Sequence, residues 1–263
     1  MAVEAGLDVL ALTDHDTTAG WEEALCALPP GLTLVLGAEI SCQFADASGT
    51  RTGVHLLAYL FDPAEPAFAA ARAALRESRI RRGRGMVDRL RADGYDVRWE
   101  RVLEIAAGTV GRPHVARALM EIGVVPSIAA AFTPEWIGPG GRYYVPKDEL
   151  QVLDAIALVT GAGGVPVLAH PRTARARRHL SDEVIGELAA AGLRGLEVDH
   201  PDHGPDARSQ LRALAAGLDL VATGSSDFHG ANKPRLRLGA ESTEPAAYDA
   251  LTAAASGRSP VAA

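Results

Sequence analysis

The sequence predicts an α/β fold interrupted by a helical insertion, and three observations carry that prediction. Short apolar runs alternate with helical stretches at both ends of the chain. The alternation stops between Pro63 and Gly141, where the patterns are helical, and the apolar runs end in polar clusters rich in His and Asp. Short apolar strands separated by helices form a parallel sheet covered on both faces, or a closed barrel. In either, the carboxyl ends of the strands carry the chemistry. The predicted bounds are 1–62 and 142–263 for the β/α part and 63–141 for the helical insertion.

Taken in order, Met1–Gly6 reads as a last helical turn closed by Gly6, feeding a strand over Leu7–Leu12. Asp14, His15 and Asp16 follow that strand, and Thr17 or Thr18 caps a helix over Thr18–Leu28, which Pro29-Pro30-Gly31 ends. Strands follow at Leu32–Ile40 and Thr52–Phe61, joined by a polar loop over Asp46–Gly49. The insertion then supplies helices at Ala64–Arg91, Arg98–Ala107, Pro113–Ile122 and Pro126–Phe132, the first interrupted by Gly83 and Gly85. After Tyr144-Val145-Pro146 come a helix at Asp148–Thr160, a strand at Val165–Ala169 and a helix at Asp182–Ala191. A strand at Gly195–Val198, a helix at Pro205–Ala216, a strand at Asp219–Thr223 and a helix at Pro245–Ser256 close the pattern.

Bulk composition narrows the class. A chain of 263 residues can bury one substantial core and carry a small insertion. No apolar run reaches the length of a membrane span and no basic-then-apolar leader is present, so the expected location is cytoplasmic. Cys26 and Cys42 are the only cysteines, which argues against a disulfide framework and a thiolate metal site. A net charge of −7 argues against a general nucleic-acid coat and leaves local basic patches open.

The chemistry collects at strand ends. Glu39 is an acid inside Leu34–Ser41, a run otherwise suited to burial; it either faces solvent or needs a cation. His55 is a lone His near the start of its strand, and alone it reads as a satisfied core histidine. His170 ends the run Gly164–Ala169 before Pro171, while Asp199, His200, Asp202 and His203 follow Gly195–Val198. Asp227 and His229 flank Phe228 and point the same way from an extended segment. Imidazole and carboxylate without thiolate suit Mn²⁺, Zn²⁺ or Fe, and several ligands suit more than one ion. Of the arginines, eight lie between Arg72 and Arg91, read as a phosphate guide or a solvated helix face. Arg172, Arg175, Arg177 and Arg178 follow His170, and one of them, Arg172 first, is expected at the substrate.

Together, Thr13-Asp14-His15-Asp16-Thr17, Gly37-Ala38-Glu39-Ile40-Ser41, His170-Pro171 and Ser226-Asp227-Phe228-His229 resemble the motifs of the PHP (polymerase and histidinol phosphatase) metallophosphoesterases. Gly111-Arg112-Pro113-His114 and Tyr144-Val145-Pro146 resemble the branch of nucleoside 3′,5′-bisphosphate phosphatases and a 5′→3′ exoribonuclease. The resemblance implies a distorted seven-stranded β/α barrel with a helical insertion and two or three divalent ions, Mn first and Zn or Fe next. It implies His15, Glu39, His55, His170, Asp227 and His229 as ligands, with Glu39 bridging, and Arg112 and His114 at the substrate phosphate. Glu39 and Asp227 would serve the metal-assisted attack of water, and His200 or His203 would protonate the leaving oxygen or complete the pocket. The implied partner is a small anionic nucleotide or a short RNA end, with no membrane and no stable protein partner.

The family opens with a strand carrying His-x-His and then an Asp, a segment that here would precede Met1, and six strand-like runs are visible where seven are expected. The corresponding expectation is a start assigned too far downstream, or a chain lacking those ligands. The rival functions are a metal-dependent amidohydrolase, a histidinol-phosphate phosphatase and a catalytically dead, truncated binding protein.

Overall fold

Leu34 to Cys42 form an unbroken buried run, and such a run is stable as a strand covered on both faces. It is the middle of β2 (Thr33–Ala45), the strand that organises the sheet. The computed structural model describes residues 1–45, 49–173, 180–230 and 235–263. They divide into one unit of Met1–Ala71 with Glu149–Ala263 and a second of Arg72–Asp148.

In the first unit β1 (Val9–Leu12) pairs parallel with β2, and β3 (Arg51–Tyr59) pairs antiparallel with it, Ser41 opposite His55. Next come β5 (Val165–Leu168), antiparallel to β3, then β6 (Gly195–Asp199) and β7 (Val221–Gly224), each parallel to its predecessor. The path β1-β2-β3-β5-β6-β7 accounts for the six strand-like runs. Two further strands of two residues, β4 (Leu150–Gln151) and β8 (Val261–Ala262), pair with β2. The all-parallel expectation is corrected: β3 runs against both neighbours. A loop of a few residues can join only antiparallel strands, because a parallel return needs a crossover of a dozen residues or more. Gly37 is required where β2 and β3 meet, since a Cβ there would stand 2.7 Å from the Ala58 carbonyl oxygen.

Met1–Gly6 is the predicted helical turn. Gly6 sits at φ 75°, and the Leu7 and Gly6 N–H groups donate to the Ala2 and Val3 carbonyls. The first helix is shorter than predicted, α1 (Trp21–Cys26), with Gly20 at its N-cap and no side-chain cap. Thr17 Oγ1 instead accepts the Ala19 N–H (3.2 Å), an ST-turn that delays helix entry. β2 continues to Ala45, past the predicted strand end at Ile40, and of the predicted Asp46–Gly49 loop Asp46, Ala47 and Ser48 lie outside the described residues. The remaining helices of this unit are α6 (Val152–Gly161), α7 (Asp182–Ala190), α8 (Pro205–Gly217) and α9 (Pro245–Ala254). Helix α6 starts later than predicted because Leu150 and Gln151 are taken into the sheet.

The second unit begins within α2 (Pro66–Ala92) and contains α3 (Trp99–Ala106), α4 (Arg112–Glu121) and α5 (Ile128–Ala131). Its core includes Met86, Leu90, Val102, Val115, Leu119 and Ile137. Gly83 and Gly85 do not interrupt α2. A Cβ at Gly83 would lie 3.0 Å from both Trp99 and Val110, so this glycine admits close packing. No described helix is long and apolar enough to cross a membrane.

Candidate metal centre

The site is built where β2, β3 and β5 share one rim. β1 ends at Leu12, and the residues after it are drawn over β2: the Glu39 N–H donates to the Thr13 and Asp14 carbonyls (both 3.2 Å), and the Asp16 N–H donates to Glu39 O (2.9 Å). His15 thereby lies bridged to Glu39. Asp16 is fully buried, at φ 58°, and accepts both the Ser41 N–H (2.7 Å) and the Ser41 hydroxyl (2.8 Å). The second acid of the Asp-His-Asp cluster is thus a clamp on the His15 turn.

The reversal of β3 explains His55. Because the strand runs downward, its beginning meets the carboxyl ends of its neighbours: His55 is opposite Ser41, and its carbonyl accepts the Ala169 N–H (3.0 Å). His55 Nδ1 lies 2.5 Å from Glu39 Oε1. His170 Nε2 is 3.2 Å from the same oxygen and 3.3 Å from His55 Nδ1. His15 Nδ1 approaches the other oxygen, Oε2, at 3.6 Å. Each carboxylate oxygen of Glu39 therefore faces a different imidazole set.

Glu39 is 7% exposed. Burial alone would raise its pKa; the charges of His15 and His55 and hydrogen bonds from His170 and His55 outweigh burial and hold it well below the ordinary range. Burial would lower His170, but its bond to Glu39 and the charges of Glu39, Glu197 and Asp227 push it up to about 9. An anion held by three imidazoles in a buried place is the donor chemistry that a divalent cation requires. Candidate ligand atoms of His15, Glu39 and His55 all lie within 4.8 Å of one another, so these residues fit such an ion.

Asp227 and His229 follow β7. Asp227 takes φ 48°, and His229 Nδ1 lies 2.7 Å from the Asp227 carbonyl oxygen. A carbonyl only accepts, so Nδ1 carries the proton and Nε2 keeps its lone pair, the tautomer a metal-ligating His uses. The His229 ring stands 6.3 Å from that of His15.

His200 and His203 follow β6 and differ in what they can do. His200 is 2% exposed; Nδ1 accepts the Asp202 N–H (3.0 Å), which leaves the proton on Nε2, 3.6 Å from Asp227 Oδ2. His203 is spent on the backbone: Nδ1 donates to Val198 O (2.9 Å), and Nε2 accepts the Arg172 N–H (3.2 Å). The catalytic role expected of His203 has no free ring nitrogen to perform it. The expected substrate contact of Arg172 is displaced likewise, because its guanidinium binds the Leu180 carbonyl and Asp182. Arg175, Arg177 and Arg178 lie outside the described residues.

Arg112 and His114 belong to the helical unit. Arg112 lies over the Phe132 and Tyr144 rings and, with Arg79, Arg82, Gly83, Met86, Val110 and Gly111, lines a small pocket. His114 Nδ1 accepts the Gly111 N–H (3.0 Å), capping α4. Burial, with the charges of Arg79 and Arg117, lowers the His114 pKa.

One buried acid escapes sequence reasoning: Glu197 on β6, 3% exposed, whose Oε2 accepts the His170 N–H (2.8 Å); burial pushes it up to about 7 against the lowering charges of His170 and His200. The signal that singles out Glu39, an acid within an apolar run, is present at Glu197 too.

On this mixed sheet, strand ends gather imidazoles around a buried carboxylate, a donor set that suits a divalent metal ion. No family model matches the chain. It is 35% identical over 228 residues to a 3′,5′-nucleoside bisphosphate phosphatase of Chromobacterium violaceum, a match spanning 84% of this chain and 76% of the relative. It is 31% identical over 229 residues to a 5′-3′ exoribonuclease of Haemophilus influenzae, spanning 87% of this chain and 81% of the relative. A crystal structure from Bifidobacterium adolescentis, described as a metal-dependent phosphoesterase, superposes with a TM-score of 0.85 at 37% identity, covering 97% of this chain and 88% of the other. The chain belongs to the PHP family of phosphoesterases.

Proposed function

We propose that this phosphoesterase hydrolyses phosphate monoesters of small nucleotides, a nucleoside 3′,5′-bisphosphate first, or short RNA 5′ ends. In this reading His15, Glu39, His55, His170, Asp227 and His229 hold two or three divalent ions, Mn²⁺ foremost. The observation that carries it is the Glu39 carboxylate, whose two oxygens face different imidazoles, as a bridging ligand's must. The relatives named for nucleotide and RNA substrates support the substrate class. Bound divalent ions supply Lewis-acid stabilisation of a phosphoryl group and an acidified water.

The chain's own residues do the rest. Glu39 stays anionic at neutral pH and keeps the imidazoles aimed at one point. His229 presents Nε2, its proton held on Nδ1 by the Asp227 carbonyl. His200 offers an Nε2–H as a hydrogen-bond donor; its other nitrogen faces a backbone N–H, so giving that proton up would leave an anionic ring. It therefore stabilises charge and does not protonate the leaving oxygen. Arg112, whose planar guanidinium suits bidentate contact, takes a substrate phosphate.

The test is phosphate release from adenosine 3′,5′-bisphosphate by this chain with Mn²⁺ and with chelator, beside Glu39→Ala. Chelator-sensitive release, with bound metal and activity lost together in Glu39→Ala, is the expected result. Full activity in that variant overturns the ligand set. Turnover of a phosphate-free amide instead makes the protein an amidohydrolase, and nucleotide binding without turnover makes it a binding protein.

A further inference from the structure

β6 contributes no residue to the proposed ligand set, yet it carries a buried acid directly beside one of those ligands. Resting on the metal-centre reading above, we propose that Glu197 is a positioning residue for His170: its carboxylate holds the His170 backbone in the turn that aims the imidazole at Glu39. Register places it there. Leu168 pairs with Leu196 in the parallel β5–β6 ladder, so Glu197 stands one step further on, where β5 has just ended.

At that point the chain must leave the sheet. The Ala169 N–H is the last to find a sheet-like partner, donating to His55 O (3.0 Å). His170 then takes φ 30°, a left-handed conformation that an L residue with a Cβ adopts reluctantly, and Pro171 follows. Its N–H has lost the ladder, and Glu197 Oε2 accepts it at 2.8 Å. The same turn swings the ring back over the sheet, with Nε2 at 3.2 Å from Glu39 Oε1 and the centroid 5.2 Å from that of His55. One hydrogen bond thus fixes both the strained backbone and the direction of the imidazole. A purely structural Glu197 would lose stability on substitution and leave metal binding alone. Positioning residues around metal ligands change affinity, typically 10–100-fold.

The experiment measures Mn²⁺ affinity calorimetrically on metal-stripped wild type, Glu197→Gln and Glu197→Met, with folding checked by circular dichroism. Gln retains an acceptor oxygen at the same reach; Met keeps the length and removes it. Expected is a Kd for Mn²⁺ raised about 10–100-fold in Glu197→Met and rescued to near wild type in Glu197→Gln. If Glu197→Met does not fold, Glu197→Asp carries the test, since it keeps the charge and loses the reach, and it should weaken Mn²⁺ as Met would. A folded Glu197→Met or Glu197→Asp that binds Mn²⁺ as wild type does overturns the proposal, as does a Gln variant no better than Met. Failure of the wild type itself to bind Mn²⁺ refutes the metal centre, and this inference with it.

Discussion

Asp16→Ala is the perturbation whose cost follows most directly from the structure. Both oxygens of this fully buried carboxylate are used on Ser41, one on the N–H at 2.7 Å and one on the hydroxyl at 2.8 Å. A hydrogen bond to a charged group contributes about 1.5–3 kcal/mol, and an orphaned buried donor costs a similar amount. Removing both bonds should therefore destabilise the protein by about 3–6 kcal/mol. At about 2–4 °C per kcal/mol for a chain of this size, Tm should fall by roughly 6–24 °C. Asp16→Asn should cost only about 1 kcal/mol, because the amide oxygen can face the Ser41 N–H while its NH₂ donates to Oγ. Ser41→Ala removes one bond, about 1.5–3 kcal/mol, and adding it to Asp16→Ala should cost little more, since the orphaned hydroxyl leaves with it. Urea and thermal unfolding of the four variants closes the cycle. Asp16→Ala within about 1 kcal/mol of wild type, or strict additivity with Ser41→Ala, would refute the clamp.

Other consequences are simpler. The folded protein disfavours protonation of His114, whereas the unfolded chain takes up that proton below the ordinary pKa of 6.5. At this site more protons are then bound by the unfolded state, so the His114 contribution to stability falls as pH drops through 6.5, opposite in sign to that of Glu197. His114→Asn, which keeps an acceptor for Gly111, should flatten that slope in urea titrations between about pH 7 and 5; an unchanged slope would sink the assignment. Gly37→Ala puts a Cβ 2.7 Å from the Ala58 carbonyl oxygen and should cost about 1–3 kcal/mol. Gly186→Ala, within α7 and nearest to Leu218 at 4.0 Å, should stabilise by about 0.5–1 kcal/mol; calorimetry should show the two shifts with opposite sign.

The six long strands were legible because each is a compact apolar run between helices, and burial on both faces leaves that mark. Their direction was not, because a strand read forwards or backwards shows the same pattern. His55 sits near the start of its strand, and only the antiparallel direction of β3 brings it to the rim where its neighbours end. β4 and β8, two residues each, are too short to show any period. Position at a strand end marks His15, His170 and Asp227, and an acid inside an apolar run marks Glu39 and Glu197 alike. His203 and Arg172 read as chemistry because their partners are a strand carbonyl, a loop N–H and an α7 acid, and nothing in the local sequence announces those contacts.

The antiparallel pairing of β2 with β3 makes the spacing of two donors a matter of counting residues. Ser41 faces His55, and that single alignment sets the diagonal from Glu39 to His55. Sliding the hairpin by two residues preserves which side chains face inward, so the core would tolerate it, yet it would carry His55 about 6.7 Å along β2. Insertions in the connecting loop are harmless only while they bulge outward and leave the alignment alone. Loop-length variants of this hairpin would therefore change the distance between the Glu39 carboxylate and the His55 ring in steps of one pleat, with neither side chain replaced.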